Sequence, residues 1–193
     1  MINKIVSTAA FSLILASSAF AGENSKSEVN EKSNLVRTNP FSLLSGGYSL
    51  GFEHGIKRDI TLGLQLENSA IRVNEIEGGA QSVSVGIRYY NQGFSNTSSY
   101  YSGSVGMVKM DFGGKVEGKE FNARGDGYLV SASYGKQYVW DSGLNLSGGF
   151  GFAYTSLKMD GDYQLQDRNQ TDRVSTDVDK FLPFIDLSIG YQF

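Results

Sequence analysis

Residues 144–154 read Leu-Asn-Leu-Ser-Gly-Gly-Phe-Gly-Phe-Ala-Tyr. In an extended chain Leu144, Leu146, Phe150, Phe152 and Tyr154 share one face, with Asn145, Ser147, Gly149, Gly151 and Ala153 on the other, because side chains alternate along a strand with a period of two. The apolar face is bulky and the opposite face is small. That inequality decides the fold. A soluble barrel encloses its apolar set and needs a solvated outer face, normally rich in charge. Uncharged hydroxyls and glycines make a poor water-facing surface. They fit the crowded interior of an eight-stranded barrel, where side chains fill the lumen, and they leave the bulky face for lipid.

The same alternation recurs. Ile60, Leu62, Leu64 and Leu66 stand against Thr61, Gly63, Gln65 and Glu67; Val83, Val85, Ile87 and Tyr89 stand against Ser82, Ser84, Gly86 and Arg88. Collected along the chain, the pattern predicts eight strands. They are Leu35–Leu44, Tyr48–His54, Ile60–Glu67, Gln81–Tyr90, Tyr100–Met110, Gly127–Val139, Leu144–Leu157 and Phe181–Phe193. Connections after even-numbered strands (55–59, 91–99 and 140–143) are compact. Three of the four after odd-numbered strands (68–80, 111–126 and 158–180) are longer. Short turns at one end and long loops at the other are the pattern of an all-β, antiparallel up-and-down transmembrane barrel with both termini in the periplasm. Pro40 is the weak point, since a central ladder position should not lack an N–H. Either a bulge sits there, or the first strand stops near Asn39 and residues 41–47 form a loop. Pro183 falls at the expected entry to the last strand.

The 193 residues hold 17 Lys+Arg against 20 Asp+Glu, one His and no Cys. That excludes a disulfide framework and a thiolate metal site, and the charge balance offers no footprint for nucleic acid. Residues 1–21 have the form of a cleaved secretory signal: Lys4, the apolar run 5–16, then Ala19-Phe20-Ala21 as a small-x-small site. Residues 22–34 read as a flexible periplasmic tail, having almost nothing apolar to bury. The barrel domain is expected over 35–193.

Charges test the orientation. Lys136 and Lys109 fall at lipid-facing parity, where a cation costs roughly 2–4 kcal/mol at mid-depth but about 0–1 near the interfaces. Lys136 is four residues before Trp140 and can snorkel; with Tyr89 and Tyr138, Trp140 is expected in the interfacial aromatic girdle. Glu53, Gln65, Glu67, Arg88 and Asp186 fall at lumen parity, and a buried charge needs a partner. Glu53 and Arg88 stand at similar distances from periplasmic turns, which predicts an internal contact between them, a structural plug rather than a gate.

Phe193 is terminal, with Tyr191, Ile189, Leu187 and Ile185 at every second position before it. This resembles the C-terminal signature of bacterial outer-membrane proteins, and the resemblance implies recognition by the barrel assembly machinery. The stretches 39–44 (Asn-Pro-Phe-Ser-Leu-Leu) and 46–53 (Gly-Gly-Tyr-Ser-Leu-Gly-Phe-Glu) resemble the opening of a family of small outer-membrane barrels of OmpA/OmpX-like type. The resemblance implies location and fold, and no activity.

Barrel enzymes of the outer membrane use His with Ser, Asp or Glu near the outer leaflet. The one His, His54, is expected at the periplasmic end with no such partner, so no catalytic residue is assigned. Asp160, Asp162, Asp167, Asp172, Asp177 and Asp179 make the fourth outer loop acidic, but their spacing does not match an EF-hand. Arg124-Gly125-Asp126, expected in the third outer loop, matches an integrin-binding tripeptide, a match short enough to recur by chance. The expectation is a monomer in outer-membrane lipid and lipopolysaccharide, without metal or cofactor, with a structural or surface-interaction role. A narrow channel for small solutes is the alternative, and a lipid-modifying enzyme a weaker one.

Overall fold

The computed structural model describes residues 33–44, 46–73, 76–116, 119–164 and 171–193. The expected signal (1–21) and residues 22–32 of the tail lie outside them. The order is β1 (Asn34–Thr38), α1 (Pro40–Leu44), β2 (Tyr48–Lys57), β3 (Ile60–Val73), β4 (Ile76–Tyr90), β5 (Ser98–Val116), β6 (Lys119–Val139), β7 (Leu144–Gln164) and β8 (Thr171–Gln192). Each strand pairs antiparallel with the next, and β8 pairs with β1, which closes an eight-stranded barrel. Following register partners once around from Leu35 returns about ten residues further along β1's line. Such a stagger means steeply tilted strands, roughly 35–45° from the axis.

The bulky set faces out. Val85, Ile87, Val105, Met107, Phe150 and Ile185 are all exposed, Ile185 by 77%. Tyr89, Tyr138 and Trp140 are exposed at the end with compact turns, and Lys136 Nζ lies 5.0 Å from the Tyr138 ring. The small polar set faces in: Ser147 and Ser188 are buried with hydroxyls 2.7 Å apart, and Ser102–Ser133 and Ser104–Ser131 pair likewise across neighbouring strands.

Three expectations are corrected. The long outer loops are mostly strand: β5 to β8 run 19, 21, 21 and 22 residues, against roughly 9–11 needed to cross a bilayer. Their outer halves are hairpins, with Gly78 opposite Phe112 and Asp160 opposite Ser175. Alternation fades there because neither face packs against a lumen, while ladder bonds are made by backbone and need no alternation. Arg124-Gly125-Asp126 accordingly lies within β6, and Arg124 Nε lies 3.3 Å from Asp111 Oδ1 on β5. Asp160, Asp177 and Asp179 belong to β7 and β8 rather than to a loop; Asp167 lies outside the described residues.

The second correction concerns the limit of the first strand, which ends at Thr38 rather than Leu44, close to the alternative in which it stops near Asn39. Asn39 caps α1, its Oδ1 accepting from the Phe41 N–H at 2.9 Å, and Pro40 takes the first helical position, where its missing N–H is no loss. The strand also begins one residue into the expected tail, at Asn34. Thirdly, Pro183 lies inside β8 rather than at its entry.

Candidate functional site: the occluded lumen

The lumen is a cup with a built floor. At the compact-turn end, the connection between β4 and β5 folds inward and buries Phe94 against Tyr90, ring centroids 5.4 Å apart. The Phe94 carbonyl accepts from Gln137 Nε2 (2.6 Å) and Gln192 Nε2 (2.9 Å), while Gln137 Oε1 accepts from Asn145 Nδ2 at 3.0 Å. Leu35 and Tyr100 complete this buried cluster.

Above it sits a charge network. Glu53 Oε1 lies 3.1 Å from Arg37 Nε and 3.2 Å from Arg88 Nη1. Its other oxygen accepts from Thr61 Oγ1 (3.0 Å) and Tyr90 Oη (2.9 Å). Asp186 Oδ2 accepts from Arg88 Nη2 (3.2 Å) and Tyr100 Oη (2.9 Å) and stands 4.0 Å from Arg37 Nη1. Arg88 also lies over the Tyr100 ring, 4.1 Å from its centroid. Two cations thus face two carboxylates across the barrel. The contacts at Glu53 Oε1 are ion pairs without hydrogen-bond alignment, so they act through charge.

Glycine makes room for the network at one point. A Cβ on Gly135 would lie 2.5 Å from Tyr100 Oη and one on Gly149 3.0 Å from it. The Tyr100 ring therefore occupies volume that two neighbouring strands vacate.

Toward the hairpin end the lumen widens into a cavity of about 610 Å³, its lining running from Glu53 and Arg88 to Asn68 and Ala80. Gln65 accepts from Arg37 Nη2 at 3.2 Å and donates to Glu67 Oε1 at 2.7 Å. Glu67, expected as a buried lumen charge, is exposed at this wider end, because water reaches it from the mouth.

The sequence matches DUF3575, described as a protein of unknown function, over residues 11–193. The chain belongs to this family. No curated protein matches the sequence. Among solved structures, the DUF3575 chain is similar to the crystal structure of a major outer membrane protein from Thermus thermophilus, at a TM-score of 0.51 and 8% identity. The match covers 85% of this chain and 100% of that one. At that identity the likeness shows the fold alone, here a closed eight-stranded antiparallel barrel.

The structure brings Glu53, Arg88 and Asp186 together and leaves Gln65 and Glu67 higher in the cup. Sequence reading missed Arg37, Thr61, Tyr90 and Tyr100. Parity held the signal for three of them: Thr61 alternates with Leu62, Tyr90 follows Arg88 by two, and Tyr100 precedes Ser102 by two. Arg37 was obscured because its inward neighbour in β1 is the apolar Leu35. His54 stands near the floor end, Nδ1 2.9 Å from Asn34 Oδ1. Among the described residues, no group of three His, Asp or Glu is placed to hold a metal.

Proposed function

We propose that this DUF3575 protein is a monomeric outer-membrane barrel of OmpA/OmpX-like size, exported by its N-terminal signal and embedded among outer-membrane lipid and lipopolysaccharide. Its role is structural or surface-interactive and non-catalytic, with long hairpins displayed outside the cell. The outward belt of Val, Ile, Met and Phe side chains supports residence in a bilayer, as does the closure of the eight strands into a barrel. That closure pairs most of the backbone without water and, among the described residues, leaves β8 before Ile189 unpaired on the β1 side.

One observation carries the choice of scaffold over channel. The floor of Phe94, Gln137 and Gln192, with Glu53 and Arg88 above it, is buried, and the half-buried Arg37 and Asp186 complete the network across the lumen. Small solutes have no bore to follow there. The purified barrel is expected to migrate faster on SDS gels before heating than after, to fractionate with the outer membrane, and to stay silent in planar bilayers. Steady single-channel openings from the unaltered protein would refute the closed-lumen reading.

A further inference from the structure

Both prolines of the chain stand at one seam of the barrel: Pro40 opens α1, where β1 stops, and Pro183 lies in β8. β8 pairs with β1 only over Ile189–Gln192, although β7 accompanies β8 out to Thr171. Hydrogen bonds fix where the remaining amides point. Phe193 exchanges both bonds with Asn34 on the β1 side, whereas the Gln192 N–H donates to Gly143 on the β7 side. Alternate residues of an antiparallel strand address alternate neighbours, so the odd-numbered residues of β8 address β1. Leu187, Ile185 and Phe181 therefore face a slot that β1 does not enter, and Pro183, at the same parity, has no N–H to leave there.

Among the described residues, the slot is only partly filled. The five residues of α1 reach about 7.5 Å at 1.5 Å each, whereas β8 between Ile189 and Phe181 spans roughly 26 Å at about 3.3 Å per residue. Irregular backbone at membrane depth is tolerated where it is buried in protein or lines a water-filled cavity. A cavity lies behind the slot: Phe41 and Ser42 of α1 and Leu182 and Phe184 of β8 line the same space as Arg37. That space is two-faced. Beside the seam its lining is Phe41, Leu182 and Phe184, with Ala153 and Thr155 on β7. Opposite the seam it is Ser82, Ser84, Ser102 and Ser104 on β4 and β5, and β6 adds Ser131, Ser133 and Leu129.

We propose that, in the outer-membrane setting argued above, this cavity binds a single-chain amphiphile taken sideways from the outer leaflet. The polar head lies against the hydroxyl wall above Arg37. The hydrocarbon chain runs along the apolar wall and leaves between α1 and β8. The volume of about 610 Å³ sits within the range of roughly 300–1,000 Å³ for small-molecule pockets. The slot is about one strand spacing wide, near 5 Å, which admits one chain abreast.

The barrel has one tryptophan, Trp140, so Trp140→Phe clears the background for reporters. Phe184→Trp reads the lumen side of the seam, Leu182→Trp serves as a second lumen reporter, and Val105→Trp, outward on β5 across the barrel from the seam, reads the lipid side. Each full-length variant, its folding verified by heat-modifiable gel migration, is placed in phosphatidylcholine vesicles carrying a small fraction of chain-brominated lysophosphatidylcholine. The lumen reporters are expected to lose more fluorescence than Val105→Trp, and to saturate as the fraction rises. Lumen quenching no greater than that of Val105→Trp overturns the site. An equal lumen response to chain-brominated two-chain phosphatidylcholine overturns the single-chain class. Absence of quenching at Val105→Trp removes the bilayer setting itself, and the site with it.

Discussion

Glu53 on β2 and Arg88 on β4 meet over the intervening strand β3, with Oε1 and Nη1 3.2 Å apart. Glu53 is 2% exposed, and it holds Arg37 on its other flank. Charges withdrawn from water this far depend on one another, and removing one partner of a buried pair costs about 3–5 kcal/mol. Glu53→Ala is expected to lower barrel stability by that order, read as a lower midpoint in a urea titration followed by gel mobility. Because the loss comes from stranded cations, combining it with Arg88→Met should cost less than the two single changes added together. Additive losses would mean that the charges are hydrated separately.

Tyr100 supplies the second prediction. Its hydroxyl donates to Asp186 while Gly135 yields the space for its ring. Gly135→Ala places a methyl 2.5 Å from Tyr100 Oη, so the ring must swing and the bond to Asp186 breaks. Overpacking of this kind costs about 1–3 kcal/mol. The double variant Gly135→Ala with Tyr100→Phe should recover little of that loss, because the ring carbon that carried the hydroxyl and the Gly148 carbonyl oxygen still lie 2.5 and 2.6 Å from the methyl. Full recovery in thermal unfolding would place the strain at the hydroxyl alone.

Strand number and side-chain orientation were legible because two requirements reinforce each other. In the proposed bilayer setting lipid demands bulk on every second residue, and a narrow lumen demands its opposite, so stretches such as 60–67 and 144–154 carry the signal twice. The hairpin halves were illegible for the same reason: beyond the closed barrel neither demand acts, and segments such as Gly78-Gly79 and Gly113-Gly114 pair through backbone alone. The Glu53–Arg88 contact was readable from parity and depth. Its extension to Arg37 needed the limits of β1, where Pro40 interrupts the pattern; its extension to Tyr90 and Tyr100 needed the inward turn of the connection that carries Phe94.

Pro183 tests the seam by ordinary thermodynamics. Its position faces the side that β1 has left, so Pro183→Ala restores an N–H where no ladder acceptor waits and is expected to change stability within about 0.5 kcal/mol. The neighbouring position behaves differently. Phe184 has the parity that bonds to β7 and stands opposite Gly151, so Phe184→Pro deletes a ladder bond, worth about 0.5–1.5 kcal/mol net, and leaves the partner carbonyl unsatisfied. A stabilisation by Pro183→Ala as large as the loss caused by Phe184→Pro would show that β8 is paired on both sides at this height.

Phe193 closes the barrel. Its N–H donates to the Asn34 carbonyl and its carbonyl accepts the Asn34 N–H, both at 2.9 Å, while its ring stands outward beside the aromatic end of the wall. Deleting Phe193 removes two of the bonds that tie β8 to β1 in a junction with only four further register pairs. It also removes the last outward aromatic from the alternation of Ile185, Leu187, Ile189 and Tyr191. The truncated chain is expected to assemble poorly in cells, seen as a smaller heat-modifiable fraction in the outer membrane. Phe193→Ala separates the causes, because it keeps both backbone bonds and loses only the ring. If the terminal ring is what the assembly machinery reads, Phe193→Ala should accumulate unassembled as the truncation does, yet refold from urea into detergent nearly as well as the parent. Normal assembly of Phe193→Ala, with failure of the truncation alone, would assign the role of this residue to the backbone closure.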